Sequence, residues 1–110
     1  MKGNQLEMTL LFDYYGDLLT EKQKTCFDLY YNQDLSLSEI AEQAGISRQG
    51  VHDTLARAEA QLEQFESVLG CVARAAAVQR AAETIERACA QLPDLPQTET
   101  ILRSCRVLKE

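Results

Sequence analysis

The sequence predicts an all-α protein organised around a helix-turn-helix, and three observations predict it. Every readable apolar pattern recurs at spacings of three and four, and no segment alternates with the period of two that a half-buried strand needs. The only two prolines, Pro93 and Pro96, lie close together near the C-terminus, so residues 1–92 hold no proline break. Between residues 36 and 59 the stretch SLSEIAEQAGISRQGVHDTLARAE places a helix-starting serine at 36 and another at 47, with Gly45 between them.

The first element is an apolar stripe of Met8, Leu11, Phe12, Tyr15, Leu18 and Leu19, which predicts a helix over about residues 5–19. The second starts at Thr20. In TEKQ the threonine hydroxyl caps the helix and Gln23, three residues on, reaches back to complete a capping box. Phe27, Tyr30 and Tyr31 form its buried stripe, and Asn32, Gln33 and Asp34 end it. Six of the seven aromatic residues fall between Phe12 and Tyr31, so these two helices are expected to supply most of the core. Base stacking is a conceivable use of Tyr14 or Tyr31, but aromatics at helical spacing face inward by default.

Ser36 and Glu39 form a second capping box, and Leu35 before the cap is placed to staple against Ile40. Leu37, Ile40, Ala41 and Ala44 line one face, and Gly45 supplies the left-handed residue that stops the helix. Ser47 then caps a fourth helix, with Ile46 positioned to staple against Val51. Two short capped helices joined by one tight turn make a helix-turn-helix. In many such motifs the next buried contact comes three residues after the position of Val51. Here that residue is Thr54, and the apolar residue is Leu55.

Beyond Val51 the apolar residues Leu55, Ala58, Leu62, Phe65, Leu69, Val72 and Ala76 step by four and three like a heptad seam. After a register slip, Val78, Ala82, Ile85, Cys89 and Leu92 continue it. Unbroken from 48 to 91, such a helix would be about 65 Å long at 1.5 Å per residue, too long to pack only on a small bundle. Leu62, Phe65, Leu69, Val72 and Ala76 are therefore read as a seam for a second copy of the chain, making a homodimer. Gly70 is the natural break or bend. PDLP ends the alanine-rich run, and Ile101, Leu102, Cys105 and Leu108 mark a last short helix over about 97–108. The domain reading is thus a helix-turn-helix bundle over 1–65 and a helical extension over 66–110, a dimerisation arm.

The chain has 110 residues, 17 acidic side chains against 11 Lys and Arg, and a formal charge of −6. Residues 1–65 carry all of that net charge, because residues 66–110 hold equal numbers of each sign. The half that looks like a nucleic-acid reader is the acidic half, which disfavours tight phosphate binding by a monomer. No run approaches the ~18 consecutive apolar residues of a membrane span. The N-terminus lacks the small-residue cleavage site of a signal peptide, so no membrane association and a cytoplasmic location are expected. Cys26, Cys71, Cys89 and Cys105 form no CxxC pair and His52 is the only histidine, so no metal site is expected. Three of the four cysteines sit where a helix wants a small apolar residue, as free thiols in or near a core do. No nucleophile–base pair appears, so neither an enzyme nor a cofactor is expected.

The start of a recognition helix presents its exposed residues to base edges and phosphates. Those residues are Ser47, Arg48, Gln49, His52 and Asp53 around the buried Val51. Arg48 suits guanine and Gln49 adenine, by bidentate pairing. Ser47 and the first-turn amides suit a phosphate, Gly50 lets the backbone come close, and Arg57 suits a further phosphate. Asp53, Glu59 and Glu63 on the same helix would repel a backbone. His52 by itself reads as a polar surface residue.

LFDYY, LLTEKQ, LYYNQDLSLSEIAE and ISRQGV stand in an order and spacing that resembles the YlxM-like family, small helix-turn-helix proteins of Gram-positive bacteria. The resemblance covers residues 8 to about 66. It implies a fold like region four of bacterial sigma factors, and an association with the signal recognition particle pathway. The partners it implies are DNA or the particle's RNA, or the particle's GTPase. A regulator or accessory factor that contacts nucleic acid is the first functional expectation. An adaptor that binds the GTPase or another protein, without nucleic acid, is the second, and the acidic N-terminal half supports it by favouring basic partners.

Overall fold

The computed structural model describes residues 5–110, and among them the chain is helical without strands. Its elements are α1 (Gln5–Tyr15), closed by a 3-10 turn at Gly16–Leu18; α2 (Glu21–Phe27), whose end widens to π geometry at Asp28–Asn32; α3 (Leu37–Ala44); α4 (Arg48–Leu69); α5 (Cys71–Cys89); and α6 (Pro96–Leu108). They form two compact units, Met1–Gly70 and Cys71–Glu110. The boundary expected after residue 65 falls inside α4.

In the first unit α1, α2 and α3 all pack on α4. Both capping boxes form. The Thr20 Oγ1 accepts from the Gln23 N–H at 3.2 Å while Gln23 Oε1 accepts from the Thr20 N–H at 3.0 Å. The core is a stack of aromatic rings. Phe27 lies between Phe12, at 4.4 Å and 9° from coplanar, and Tyr31, at 4.3 Å and 25°. Tyr30 meets Tyr31 edge-on at 5.1 Å. The π turn makes this possible, because its extra residue per turn lets adjacent Tyr30 and Tyr31 both stay buried. Two tyrosine hydroxyls then reach α4: Tyr31 donates to Glu59, and Tyr15 donates to Glu66 at 2.5 Å.

Leu18 departs from the expected stripe. The 3-10 turn winds tighter than an α-helix and shifts the phase, so Leu18 turns out, 58 % exposed, while Leu19 stays buried. Ala44 is exposed as well, at the end of α3, and only Ile40 of that helix is fully buried.

The single long helix does not form. α4 stops at Leu69, and Gly70 adopts φ +62°, with its N–H donating to the Glu66 carbonyl at 2.8 Å. Left-handed backbone cannot continue an α-helix, and glycine takes it without the Cβ penalty other residues meet. The seam positions therefore part company. Leu62 is buried in its own bundle, Phe65 packs on Tyr15 at 6.0 Å, and Leu69 is exposed. Val72 and Ala76 belong to the next helix, half-buried and exposed respectively.

In the second unit α6 packs along α5. Pro96 opens α6 at its first turn, as a residue without an N–H can. The Thr98 hydroxyl donates to the Pro93 carbonyl at 3.0 Å, and Lys109 pairs with Glu86 at 2.9 Å. None of the four cysteines forms a disulfide; Cys26, Cys89 and Cys105 are buried and Cys71 is exposed. No helix among the described residues is long and apolar enough to cross a membrane.

Burial, and after it the bond to Glu59, raises the Tyr31 hydroxyl above its ordinary value of 10.0. The folded state thus favours the neutral phenol. That contribution to stability is complete below pH ~10 and is lost as pH rises towards the folded value. Tyr31→Phe should cost about 1–2 kcal/mol in urea unfolding at neutral pH. The variant should also lose less stability than the parent between neutral pH and strongly alkaline pH. Gly70→Ala, forced into left-handed backbone, should cost about 1–2 kcal/mol in the same assay.

Candidate nucleic-acid interface

The geometry of the helix-turn-helix is set by its caps. Ser36 Oγ accepts from the Glu39 N–H at 3.1 Å and Glu39 Oε1 accepts from the Ser36 N–H at 2.9 Å. Those bonds hold the Glu39 carboxyl below its ordinary range. At the other end of α3, Gly45 turns the chain with φ +70°, and the Gly45 and Ile46 N–H groups both donate to the Ala41 carbonyl, at 2.9 and 3.2 Å. Ser47 then caps α4, its Oγ accepting from the Gly50 N–H at 2.9 Å. Two residues, Ile46 and Ser47, separate the αL glycine from the first turn of α4, which fixes where that turn points.

Val51, Leu55, Ala58 and Leu62 form the line along which α4 is buried. Leu55, not Thr54, makes the second contact. Thr54 is half-buried and its hydroxyl donates to the Gly50 carbonyl at 2.8 Å. By helical phase Asp53 stands opposite this line, at the middle of the outward face. Gln49 and Arg57 flank it, and Arg48 and His52 share a strip to one side.

Of the residues expected to meet nucleic acid, Ser47, Arg48, Gln49, His52 and Arg57 are exposed on α4 or at its cap. Arg48 and Arg57 make no ion pair among the described residues, so both guanidiniums are open to a phosphate or a base edge. Gln49 is engaged: its Nε2 donates to Asp53 Oδ1 at 2.9 Å. His52 Nδ1 lies 3.5 Å from the same oxygen. Gly50 is half-buried, and a Cβ there would come 3.1 Å from Ser47 Oγ and 3.7 Å from Ile46 Cδ1. Its missing side chain thus leaves room for the Ser47 cap and for Ile46.

The acids of α4 divide into two kinds. Glu59 and Glu66 are acceptors for the core tyrosines and help to hold the helix down. Asp53 and Glu63 are exposed. The Gln49–Asp53 bond was open to sequence reasoning, since residues four apart face each other on a helix. The Tyr31–Glu59 and Tyr15–Glu66 bonds span 28 and 51 residues and carry no local signal.

A family model described as "Putative helix-turn-helix protein, YlxM / p13 like" matches residues 2–101. The chain belongs to the YlxM / p13-like family. The match runs through α5 and into α6, well past the residues 8–66 whose motifs carry the resemblance in the sequence. Among curated relatives, a UPF0122 protein of Thermoanaerobacter sp. (strain X514) is 58 % identical over 74 residues, 67 % of this chain and 63 % of that protein. A UPF0122 protein of Desulforamulus reducens is 56 % identical over 68 residues, covering 62 % of this chain and 58 % of the relative. One of Halalkalibacterium halodurans is 49 % identical over 74 residues, covering 67 % and 68 %. The aligned part thus spans a little under two thirds of the first two relatives' length.

The cap at Ser47 can be tested apart from any ligand. Ser47→Ala should cost about 1 kcal/mol in thermal or urea unfolding, while Ser47→Gly should cost only a few tenths.

Proposed function

We propose that this YlxM / p13-like chain binds nucleic acid through the first turns of α4, as a non-enzymatic regulator or accessory factor of the signal recognition particle pathway. The observation that carries the reading is an exposed Arg48, without an ion pair among the described residues, on the first turn of a helix that its caps hold in fixed geometry. Arg48 reaches guanine or a phosphate, Ser47 and the first-turn amides hold a phosphate, and Arg57 takes another two and a half turns along. His52 lies on the Arg48 strip and adds a polar contact. Gln49 can read adenine once it releases Asp53. The nucleic acid is duplex DNA or the particle's RNA.

Asp53 weakens this interface and gives it a sensitive test. A carboxylate at the centre of the outward face repels the backbone that Arg48 and Arg57 attract, so the binding is weak and strongly salt-dependent. A second reading rests on the same charge. With −6 on its first 65 residues, the chain suits a basic protein surface, such as one on the particle's GTPase, and would act as an adaptor without nucleic acid.

Fluorescence anisotropy of labelled duplex DNA and of labelled signal recognition particle RNA, each titrated at several salt concentrations, tests both readings. Binding at low salt should fall steeply as salt rises. Arg48→Ala should weaken it about tenfold and Asp53→Asn should strengthen it several-fold. Absence of binding by both nucleic acids at low salt overturns the first reading. Saturable binding of the purified GTPase in the same format then supports the adaptor.

A further inference from the structure

Helix α1 is apolar on two sides, and the bundle uses only one of them. Met8, Leu11 and Tyr15 are buried, with Phe12 stacked on Phe27 beside them. Leu6, Leu10 and Tyr14 lie on the outer side, 87 %, 43 % and 47 % exposed. They are four residues apart, so helical phase sets them in one stripe that drifts slowly round the helix. In the 3-10 turn that follows, Leu18 is a fourth exposed apolar residue. Elsewhere in the first unit, among the described residues, large apolar side chains are exposed only at Val68 and Leu69. The surface is thus concentrated on one element rather than scattered, which separates an interaction face from ordinary exposed leucines.

The stripe has an acid on each border. Helical phase places Glu7 at one edge and Asp13 at the other, and both are exposed without an ion pair among the described residues. Asp17, just past the helix end, is paired with Lys24 at 2.7 Å. From residue 5 to residue 19 the chain carries these three acids and no Lys or Arg. Glu7 is in the first turn of α1, where a carboxylate suits the helix dipole. Asp13 is in the last turn, where it opposes the dipole, so helix stability alone would not place an acid there.

We infer that the outer side of α1 docks a basic amphipathic helix of another protein. The stripe is the convex side of a helix whose backbone is already hydrogen-bonded, so it offers side chains and no main-chain edge for a strand. A second helix fits such a surface by laying an apolar ridge beside Leu6, Leu10 and Tyr14. Lys or Arg on the flanks of that ridge meets Glu7 and Asp13 at the rim. The same acids reject other occupants. Nucleic-acid phosphates and anionic lipid headgroups are repelled, and a second copy would bring the acids of one α1 against those of the other. The inference rests on the adaptor reading and deepens it, giving the basic partner a surface and a shape.

The probe is a fluorescein-labelled synthetic helix of about five turns, with leucines on one side and lysines on the flanks, and its scrambled sequence is the control. Anisotropy against the full chain should show saturable binding that weakens as salt rises and that the scrambled peptide lacks. Leu6→Lys sets a cation against the lysines and should weaken binding about tenfold or more. Because that side chain is almost fully exposed, far-UV circular dichroism and urea unfolding should stay as in the parent. Glu7→Gln with Asp13→Asn should weaken binding several-fold and flatten its salt dependence. Val107→Ser, at an exposed apolar position of α6, should leave it unchanged. The proposal fails if the parent does not bind, if the scrambled peptide binds as well, or if Leu6→Lys binds like the parent. It fails too if the chain sediments as a dimer that Leu6→Lys dissociates. Titration of the purified GTPase separates this surface from the adaptor reading. GTPase binding that Leu6→Lys leaves intact overturns the surface and keeps the adaptor. Peptide binding that depends on Leu6, without GTPase binding, removes that partner and supports the surface.

Discussion

The ring stack of Phe12, Phe27 and Tyr31 is the contact on which the first unit depends. It ties α1 to α2 by dispersion between near-parallel rings, and its last member carries a hydroxyl that reaches Glu59 on α4. The helix that presents Arg48 is therefore anchored at mid-length by a bond from the core, and again at Glu66 by Tyr15. A recognition helix held at its N-terminus by the Ser47 cap and at two later points by tyrosines has little freedom to tilt. The proposed contacts at its first turns would be made by a rigid element, which would lower the entropy lost when they form.

The same arrangement bears on the proposal that an acidic chain binds nucleic acid through its helix-turn-helix. All the acids on α4 keep their charge, but Glu59 and Glu66 lie against the core tyrosines, away from the first turns. What remains is local: Asp53 is in the middle of the face and the arginines are at its borders. Affinity in such a site is set by the balance of a few charges within a Debye length, about 8 Å in physiological salt.

What was legible in the sequence was what is local. Thr20 with Gln23, Ser36 with Glu39, Gly45 and Ser47 each act within four residues, so their caps could be read directly. The buried line Val51, Leu55, Ala58 and Leu62 was legible for the same reason. Leu18 was misplaced because a 3-10 turn resets the phase that a stripe assumes. Heptad spacing makes one surface of Leu69, Val72 and Ala76 because it does not register a left-handed residue, although Gly70 stands in the sequence as the place to break. The tyrosine–glutamate bonds were beyond reach, since their partners are far apart in the chain and meet only when the bundle has formed.

Cys71 gives the junction between the two units a chemical character of its own. It is an exposed thiol immediately after a glycine that ends a helix, while the other three cysteines are buried. Oxidation is therefore site-selective, because exposure governs which thiol an oxidant meets first. In aerated buffer two chains can be joined covalently at this one point, with no apolar face in contact. A reagent that adds to accessible thiols would, for the same reason, mark the native fold once, and mark the unfolded chain four times.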